Sequence, residues 1–211
     1  MTLYGLQTHN AEEIVARRTV DVAVIIPDAS PVLTLARIGR LDLFDTFTAP
    51  IHIVDQVRYE ITKEANDPRG EVNAWLQRMG NRVIIEETFV GLGFQTKVER
   101  GETPGSANLG EIAVDEYATR LALHGSPSFV PLVLFEDPDV LETRIARLLR
   151  VHLLNTAAWI RALADEEIIP DGPTLIEAIN AQRNSPLKPL ERPGRTARVR
   201  SRWLSKRRRQ K

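Results

Sequence analysis

The feature that most constrains the fold of this sequence is a series of short apolar runs that alternate with segments of helical periodicity. The runs are rich in β-branched residues and lie at 22–26, 51–54, 83–85, 130–135 and 151–154. Continuous apolar runs of this length are typical of strands that are buried on both faces of a parallel sheet. Strands that alternate with helices imply crossover connections. The pattern predicts an α/β fold in three layers, with a mostly parallel sheet flanked by helices.

The charges of the chain are divided unevenly between its body and its C-terminus. The formal net charge is zero. Residues 184–211 carry 11 Lys and Arg and a single acid, a net charge of about +10, whereas residues 1–183 carry about −10. Prolines and arginines dominate the last segment, which is typical of a mobile tail. We expect an N-terminal lead-in over residues 1–20, one folded domain over 21–183 and a basic, mobile tail over 184–211.

The absence of some residue types and segments excludes several classes of protein. The chain has no cysteine, which excludes disulfides, thiolate metal sites and a cysteine nucleophile. Its four histidines are too widely spaced for a histidine-rich zinc site. No apolar run approaches the roughly 18 residues that span a bilayer, and the N-terminal residues lack the features of a signal peptide. We expect a cytoplasmic protein with no membrane partner.

Acidic residues stand where the predicted strands end and on the helices beside them. Asp28 follows the first apolar run, Glu60 lies on the helix after the second, and Asp137 follows the run 130–135. Glu111 lies near the start of a helix that comes after a glycine-rich segment, residues 89–107, which we predict to be a loop. Ligands of open α/β sheets bind outside the carboxyl ends of the strands. We therefore expect these four carboxylates to converge at one edge of the sheet.

Each of these acids also has a structural interpretation. Asp137 precedes a proline and can cap a helix, Glu111 fits a capping-box pattern, and Glu60 can be a solvated side chain. Asp28 is harder to explain in this way, because Ser30, which is followed by a proline, already supplies the predicted N-cap of the next helix. The combination therefore carries more weight than any single residue.

The chemistry of clustered carboxylates points to a hard metal ion. Carboxylates that are packed together repel one another, and a bound cation removes this repulsion. Oxygen ligands of this kind suit Mg²⁺ or Mn²⁺, and such an ion can activate water and stabilise negative charge on a phosphodiester. Asp115, one helical turn after Glu111, either faces the same pocket or is solvated. The pattern favours metal-dependent hydrolysis of a nucleic-acid backbone.

Four segments of the chain carry a resemblance to a known family in their order and spacing. They are Val24-Ile25-Ile26-Pro27-Asp28-Ala29-Ser30, Val57-Arg58-Tyr59-Glu60-Ile61, Asn108-Leu109-Gly110-Glu111-Ile112-Ala113 and Leu134-Phe135-Glu136-Asp137. The chain resembles the PIN domain family, which includes the VapC-type toxin ribonucleases of bacterial toxin–antitoxin pairs. The resemblance covers roughly residues 22–163. It implies a PIN-like nuclease domain that hydrolyses RNA phosphodiester bonds.

The resemblance also implies the residues of the active site. It gives catalytic roles to Asp28, Glu60, Glu111 and Asp137, with Mg²⁺ or Mn²⁺ as the cofactor. The metal ligands would be Asp28, Glu111 and Asp137, with Asp139 as a further candidate. The family often has paired aspartates at the fourth position, and this sequence departs from that pattern with two aspartates separated by a proline. We prefer Asp137 for this position because it lies closer to the end of the strand.

Further roles and partners follow from the same resemblance. Ser30 matches a hydroxyl residue near the first aspartate, and Asn155 and Thr156 match a polar turn that supports the site or the substrate. The implied partners are RNA, an antitoxin protein and a second copy of the chain. The alternative function is a non-catalytic module that binds nucleic acid or a partner through the basic tail.

Overall fold

Two sheets form the framework of the computed structural model, which describes residues 19–63, 69–105, 108–126, 128–195 and 200–204. The strands, in chain order, are β1 (Thr19–Asp21), β2 (Val24–Pro27), β3 (Ile51–Val54), β4 (Val83–Glu86), β5 (Pro131–Phe135), β6 (His152–Asn155), β7 (Glu191–Arg192) and β8 (Arg200–Arg202). Six of them form the central sheet in the order β4-β3-β2-β5-β6-β7, and β1 pairs with β8 in a separate parallel sheet. All neighbours in the central sheet are parallel except β7, which is antiparallel to β6.

Helices cover both faces of the central sheet. They are α1 (Ala29–Arg37), α2 (Asp55–Thr62), α3 (Arg69–Met79), α4 (Phe89–Glu99), α5 (Leu109–His124), α6 (Arg144–Arg147), α7 (Thr156–Asp165) and α8 (Gly172–Asn180), with 3₁₀ turns at Leu41–Thr46, Gly80–Arg82 and Pro138–Glu142. The predicted three-layer α/β fold with a mostly parallel sheet is confirmed. In the part of the chain that the structure describes, no helix is both long enough and apolar enough to cross a membrane.

The buried strands of the sheet are the apolar runs of the sequence. The side chains of β2, β5 and β6 are buried along their whole length, as expected of central strands covered on both faces. Aromatic residues fill the space beside the sheet, where the ring of Phe47 lies 4.6 Å from that of Trp159 and 5.5 Å from that of Trp203. Trp203 is thus a core residue although it lies near the C-terminus of the chain.

The prediction of a loop over the glycine-rich segment, residues 89–107, is wrong for residues 89–99, which form α4. The hydroxyl oxygen of Thr88 accepts the amide of Gly91 at 2.9 Å and caps the helix. The carboxylate of Glu116 accepts the amides of Phe89 and Val90 at 3.0 and 3.1 Å. Gly91 is required because a Cβ there would lie 1.8 Å from a carboxylate oxygen of Asp55. Contacts from distant parts of the chain therefore outweigh the low helix propensity of glycine.

The segment that we expected to be a mobile tail packs against the body over its described part. We call residues 184–195 and 200–204 the C-terminal strap. The strap forms the edge strand β7, and the buried His152 shares a 2.9 Å hydrogen bond with the hydroxyl of Ser201 in β8. Leu187 and Trp203 are buried, which anchors the segment in spite of its charge. The arginines at 207–209 lie outside the described residues.

Candidate functional site

The predicted carboxylates come together at the carboxyl edge of the central sheet. Asp28 follows β2 and holds the N-cap position of α1, and Asp137 follows β5 and caps the 3₁₀ turn Pro138–Glu142. These two strands are neighbours, and the amide of Asp28 donates to the carbonyl of Leu134 at 2.8 Å. Glu60 reaches the same region from α2, and Glu111 reaches it from the first turn of α5. Four segments that are far apart in the sequence therefore supply acids to one place.

A small cavity lies among three of these acids. It has a volume of about 30 Å³, which is room for a water-sized species. Asp28, Glu111 and Asp137 line it, together with Asp115. The remaining lining is mostly apolar and comprises Val114, Val133, Phe135, Val140, Thr143 and Ile145. Because apolar walls weaken the solvation of the carboxylates, their charges act strongly on one another and on any cation that enters.

Asp28 is the most deeply placed of the acids, with 8 % of its surface exposed. Burial, with smaller contributions from the carboxylates of Glu111 and Glu60, raises the pKa of Asp28 to about 7, even though hydrogen bonds from the backbone amides of Ala29 and Ser30 oppose the shift. This carboxyl group therefore titrates close to neutral pH. Either a proton or a cation can balance its charge.

Glu60 is held in place by the beginning of α5. Its carboxylate accepts the amide of Gly110 at 3.1 Å. A side chain at position 110 would put its Cβ 2.9 Å from the same oxygen, so the glycine allows the close approach. Burial raises the pKa of Glu60, and the hydrogen bond from Gly110 partly offsets this effect. The capping box that we considered for Glu111 is not formed, because Asn108 makes no side-chain cap and has a left-handed backbone (φ 60°).

The carboxylate of Glu111 interacts electrostatically with the buried Asp28 and with the exposed Asp137 and Asp139. Burial raises the pKa of Glu111, and the carboxylates of Asp137 and Asp139 raise it further. Asp137 lines the cavity and accepts the amide of Asp139 at 2.9 Å. Asp139 is exposed and lies outside the cavity lining. Asp137 is thus the better placed of the two, and Asp139 lies close enough to add its charge.

Glu136 is directed away from the site, to the opposite face of the sheet. It is buried and accepts the hydroxyl of Thr34 in α1 at 3.0 Å. It also pairs with the guanidinium of Arg183, which follows α8. Successive side chains of a strand point to opposite faces, so the residue before Asp137 cannot share its cavity. Glu136 therefore has a structural role in joining β5, α1 and the end of α8.

Asp115 lies in the cavity lining but is already engaged in the fold. One carboxylate oxygen accepts the amide of Ile145 at 3.0 Å, and the other lies 3.3 Å from the guanidinium of Arg144. It thereby anchors the beginning of α6. Of the two interpretations from the sequence, a pocket-facing and a solvated residue, the first is correct. The spacing of one helical turn after Glu111 was the signal that could identify it.

The three residues predicted to support the site, Ser30, Asn155 and Thr156, do not line the carboxylate cavity. Ser30 is the second residue of α1 rather than its N-cap, because the helix begins at Ala29 and Asp28 holds the cap position. Asn155 caps α7 by accepting the amide of Ala158 at 2.9 Å. It also binds the strap, accepting the amide of residue 190 at 3.0 Å and donating to the carbonyl of residue 188 at 2.7 Å. Thr156 is fully buried. Neither Asn155 nor Thr156 lines the carboxylate cavity.

The donor atoms of the site suit a hard divalent cation, but they are not drawn together around one point. All the donors are carboxylate oxygens, which Mg²⁺ and Mn²⁺ prefer. Within the described ranges, no three His, Cys, Asp or Glu side chains stand close enough to hold a metal ion as they are placed. Coordination by three of these acids therefore requires their side chains to rotate toward one another.

Comparison with known proteins does not extend this picture. No family model matches the chain. No curated protein matches it with significant similarity. The resemblance to PIN domains thus remains a prediction that depends on the four sequence segments.

Proposed function

We propose that this chain is a Mg²⁺- or Mn²⁺-dependent ribonuclease of the PIN type and that it acts as the toxin of a toxin–antitoxin pair. The observation that carries the proposal is the convergence of Asp28, Glu60, Glu111 and Asp137 from four separate segments. Holding the buried Asp28 beside other acids costs free energy in the absence of a cation, because its burial and the mutual repulsion of the carboxylates both disfavour the charged forms. A binding function for a cation explains why the fold holds the cluster together.

The proposed roles follow from the position of each carboxylate. Asp28, Glu111 and Asp137 bind the ion, with Asp139 close enough to replace or assist Asp137. Asp28 exchanges its proton for the cation near neutral pH, as its raised pKa allows. Glu60, fixed by the amide of Gly110, adds negative charge beside the other acids. When bound, a divalent cation supplies Lewis-acid stabilisation of the phosphodiester and activates water for hydrolysis.

The proposed partners are RNA, an antitoxin protein and a second copy of the chain. The alternative of a binding module that uses the basic tail is less well supported. In the C-terminal strap, the guanidinium of Arg192 donates to the carbonyls of Ile145, Leu148 and Val151 at 3.2–3.4 Å. That of Arg202 donates to Asp21 at 2.7 Å. These two arginines hold the strap on the body.

The test is RNA cleavage by the full chain with Mg²⁺, with Mn²⁺ and with EDTA. Asp28→Asn keeps the shape of the side chain and removes its charge, so we expect cleavage to fall by at least about a hundredfold. Asp165→Asn is the matched control, because Asp165 is an exposed acid at the end of α7. Calorimetric titration with Mn²⁺ measures ion binding without RNA. Full cleavage by Asp28→Asn, or cleavage that persists in EDTA, would contradict the proposal.

A further inference from the structure

Acids dominate the carboxylate cavity, although its proposed substrate is an anion. The three proposed ligands, even with a divalent ion bound, leave one net negative charge that repels a phosphodiester. Two of the acids that line the cavity, Glu111 and Asp137, are exposed, and the neighbouring Asp139 adds a further charge. A basic side chain beside the ion would offset this repulsion and orient the phosphate.

The guanidinium of Arg144 lies at the wall of this cavity. Its Nη2 is 3.3 Å from Oδ2 of Asp115, which lines the cavity. The residues on either side of it in the chain, Thr143 and Ile145, line the cavity as well. Oδ1 of Asp115 accepts the amide of Ile145 at 3.0 Å. One carboxylate of the cavity wall therefore fixes both the beginning of α6 and the side chain of its first residue.

The guanidinium of Arg144 is open to solvent on its other sides. The side chain is 61 % exposed, whereas that of Asp115 is 22 % exposed. Within the described ranges, Asp115 is the one ion-pair partner of Arg144. A guanidinium has five N–H donors in a planar fork, and two of them can bind two oxygens of one phosphate in parallel. Arg144 can thus keep its contact with Asp115 and bind a phosphate with its other donors.

Two other basic residues near the acids are placed less well for this role. Lys63 lowers the pKa of Glu60, but Glu60 is not among the described residues that line the cavity. Arg183 is paired with the buried Glu136 on the opposite face of the sheet. Both cations therefore act on acids outside the cavity, whereas Arg144 contacts one of its walls.

We propose, on the basis of the proposed ribonuclease function, that Arg144 binds the scissile phosphate of the RNA beside the metal ion. The guanidinium places positive charge where the phosphodiester approaches the acids. Two parallel hydrogen bonds from the guanidinium restrict the orientation of the phosphate. Asp115 is a positioning residue in this arrangement, because it holds the guanidinium at the cavity.

The first experiment is RNA cleavage by the full chain in Mn²⁺. We expect Arg144→Ala to lower kcat/KM by roughly a hundredfold, as the loss of charged hydrogen bonds to the phosphate implies. Arg144→Lys should recover only part of the loss, because an ammonium group keeps the charge without the planar fork. Arg161→Ala is the matched control, because Arg161 is also an exposed arginine that pairs with one aspartate, and it lies on α7.

Two further measurements separate a phosphate contact from a structural effect. Mn²⁺ should bind Arg144→Ala at least as tightly as the wild type in calorimetric titration, since no proposed ligand is removed and a nearby positive charge is lost. Thermal unfolding verifies that each variant folds. The slope of log(kcat/KM) against log[KCl] should be shallower by about 0.7 for Arg144→Ala, the value for one phosphate contact to a single strand. Arg161→Ala should leave this slope unchanged.

The outcomes distinguish this role of Arg144 from the ribonuclease function itself. A wild-type chain that cleaves no RNA would overturn both. If the wild type cleaves RNA, full cleavage by Arg144→Ala or an unchanged salt slope would overturn the role of Arg144 alone. The same holds if Arg144→Ala loses Mn²⁺ binding or its fold, because the side chain would then support the structure of the site and not the substrate.

Discussion

Asp28→Asn should make the protein more stable at neutral and basic pH while it removes the proposed activity. Asparagine has nearly the same shape as aspartate but carries no charge. The wild-type carboxylate is buried beside Glu60 and Glu111 and must be kept charged above neutral pH in the absence of a cation. The variant avoids this cost. Stability and function are thus expected to oppose each other at this residue.

The size of the effect follows from the pKa of Asp28, which rises from 3.8 to about 7 on folding. A difference of about 3 pKa units corresponds to at most about 4 kcal/mol. The sign follows from the higher proton affinity of the folded state. Below about pH 4 the group is protonated in both states, and between about pH 4 and pH 7 the free energy of unfolding falls as the pH rises. Above the folded pKa the full penalty is present.

The assay is urea unfolding of the wild type and Asp28→Asn from about pH 4 to about pH 8 in EDTA. We expect the variant to gain up to about 4 kcal/mol relative to the wild type at the upper end and nothing at the lower end. Asp165→Asn, the exposed control, should follow the wild type. Mg²⁺ at a hundred times its dissociation constant should stabilise the wild type by about 2.7 kcal/mol and the variant much less. An equal pH dependence of wild type and variant would refute the reasoning.

Three further substitutions test residues outside the four predicted carboxylates. Arg183→Ala leaves the buried carboxylate of Glu136 without a cation and should lower the free energy of unfolding by about 3 kcal/mol in urea. Asn155→Ala removes three hydrogen bonds and should cost about 3 kcal/mol, while the RNA cleavage rate of the folded protein stays unchanged. Gly110→Ala puts a Cβ 2.9 Å from Glu60 and should lower the cleavage rate about tenfold or more, with no loss of stability.

Each of these substitutions has a control in the same chain. Adding Glu136→Gln to Arg183→Ala should recover most of the lost stability, because a buried amide needs no cationic partner. Asn184→Ala changes an exposed asparagine of the strap and should leave the stability near that of the wild type. Gly93→Ala adds a Cβ with no atom within 4 Å and should leave RNA cleavage unchanged. If the Asn155→Ala protein is fully folded but cleaves RNA slowly, the side chain of Asn155 acts on the substrate instead.

The sheet could be predicted from the sequence because its strands are defined locally. A run such as Val24-Ile25-Ile26 is apolar on both sides, and only a central strand buries both faces of such a run. The separation of strands by helices then restricted the topology to parallel pairing. The same local pattern placed Asp28 and Asp137 at the carboxyl edge, since each residue directly follows a strand or nearly so.

Helix α4 and the C-terminal strap could not be predicted in this way, because contacts far along the chain determine them. Nothing near residue 89 indicates that Glu116, 27 positions later, accepts its amide. Composition indicates a tail after Asn184, yet one tryptophan, Trp203, packs against Phe47 in the core. A single buried aromatic side chain can contribute several kcal/mol, which is enough to fix a segment of low average hydrophobicity.

The local sequence identifies the fourth carboxylate of the site only in part. Three acids stand together at the end of β5, and composition alone does not distinguish them. Strand alternation does, since Val133 and Phe135 face the cavity and the next residue on that side is Asp137. Glu136 is directed to the opposite face, where Arg183 neutralises it.

Asp139 lies in the 3₁₀ turn that Asp137 caps, so strand alternation does not determine its position. The Asp137→Asn and Asp139→Asn variants test which of the two carboxylates binds the ion. If Asp137 is the main ligand, the first substitution should weaken Mn²⁺ binding far more than the second; equal effects would mean that the two share the ion.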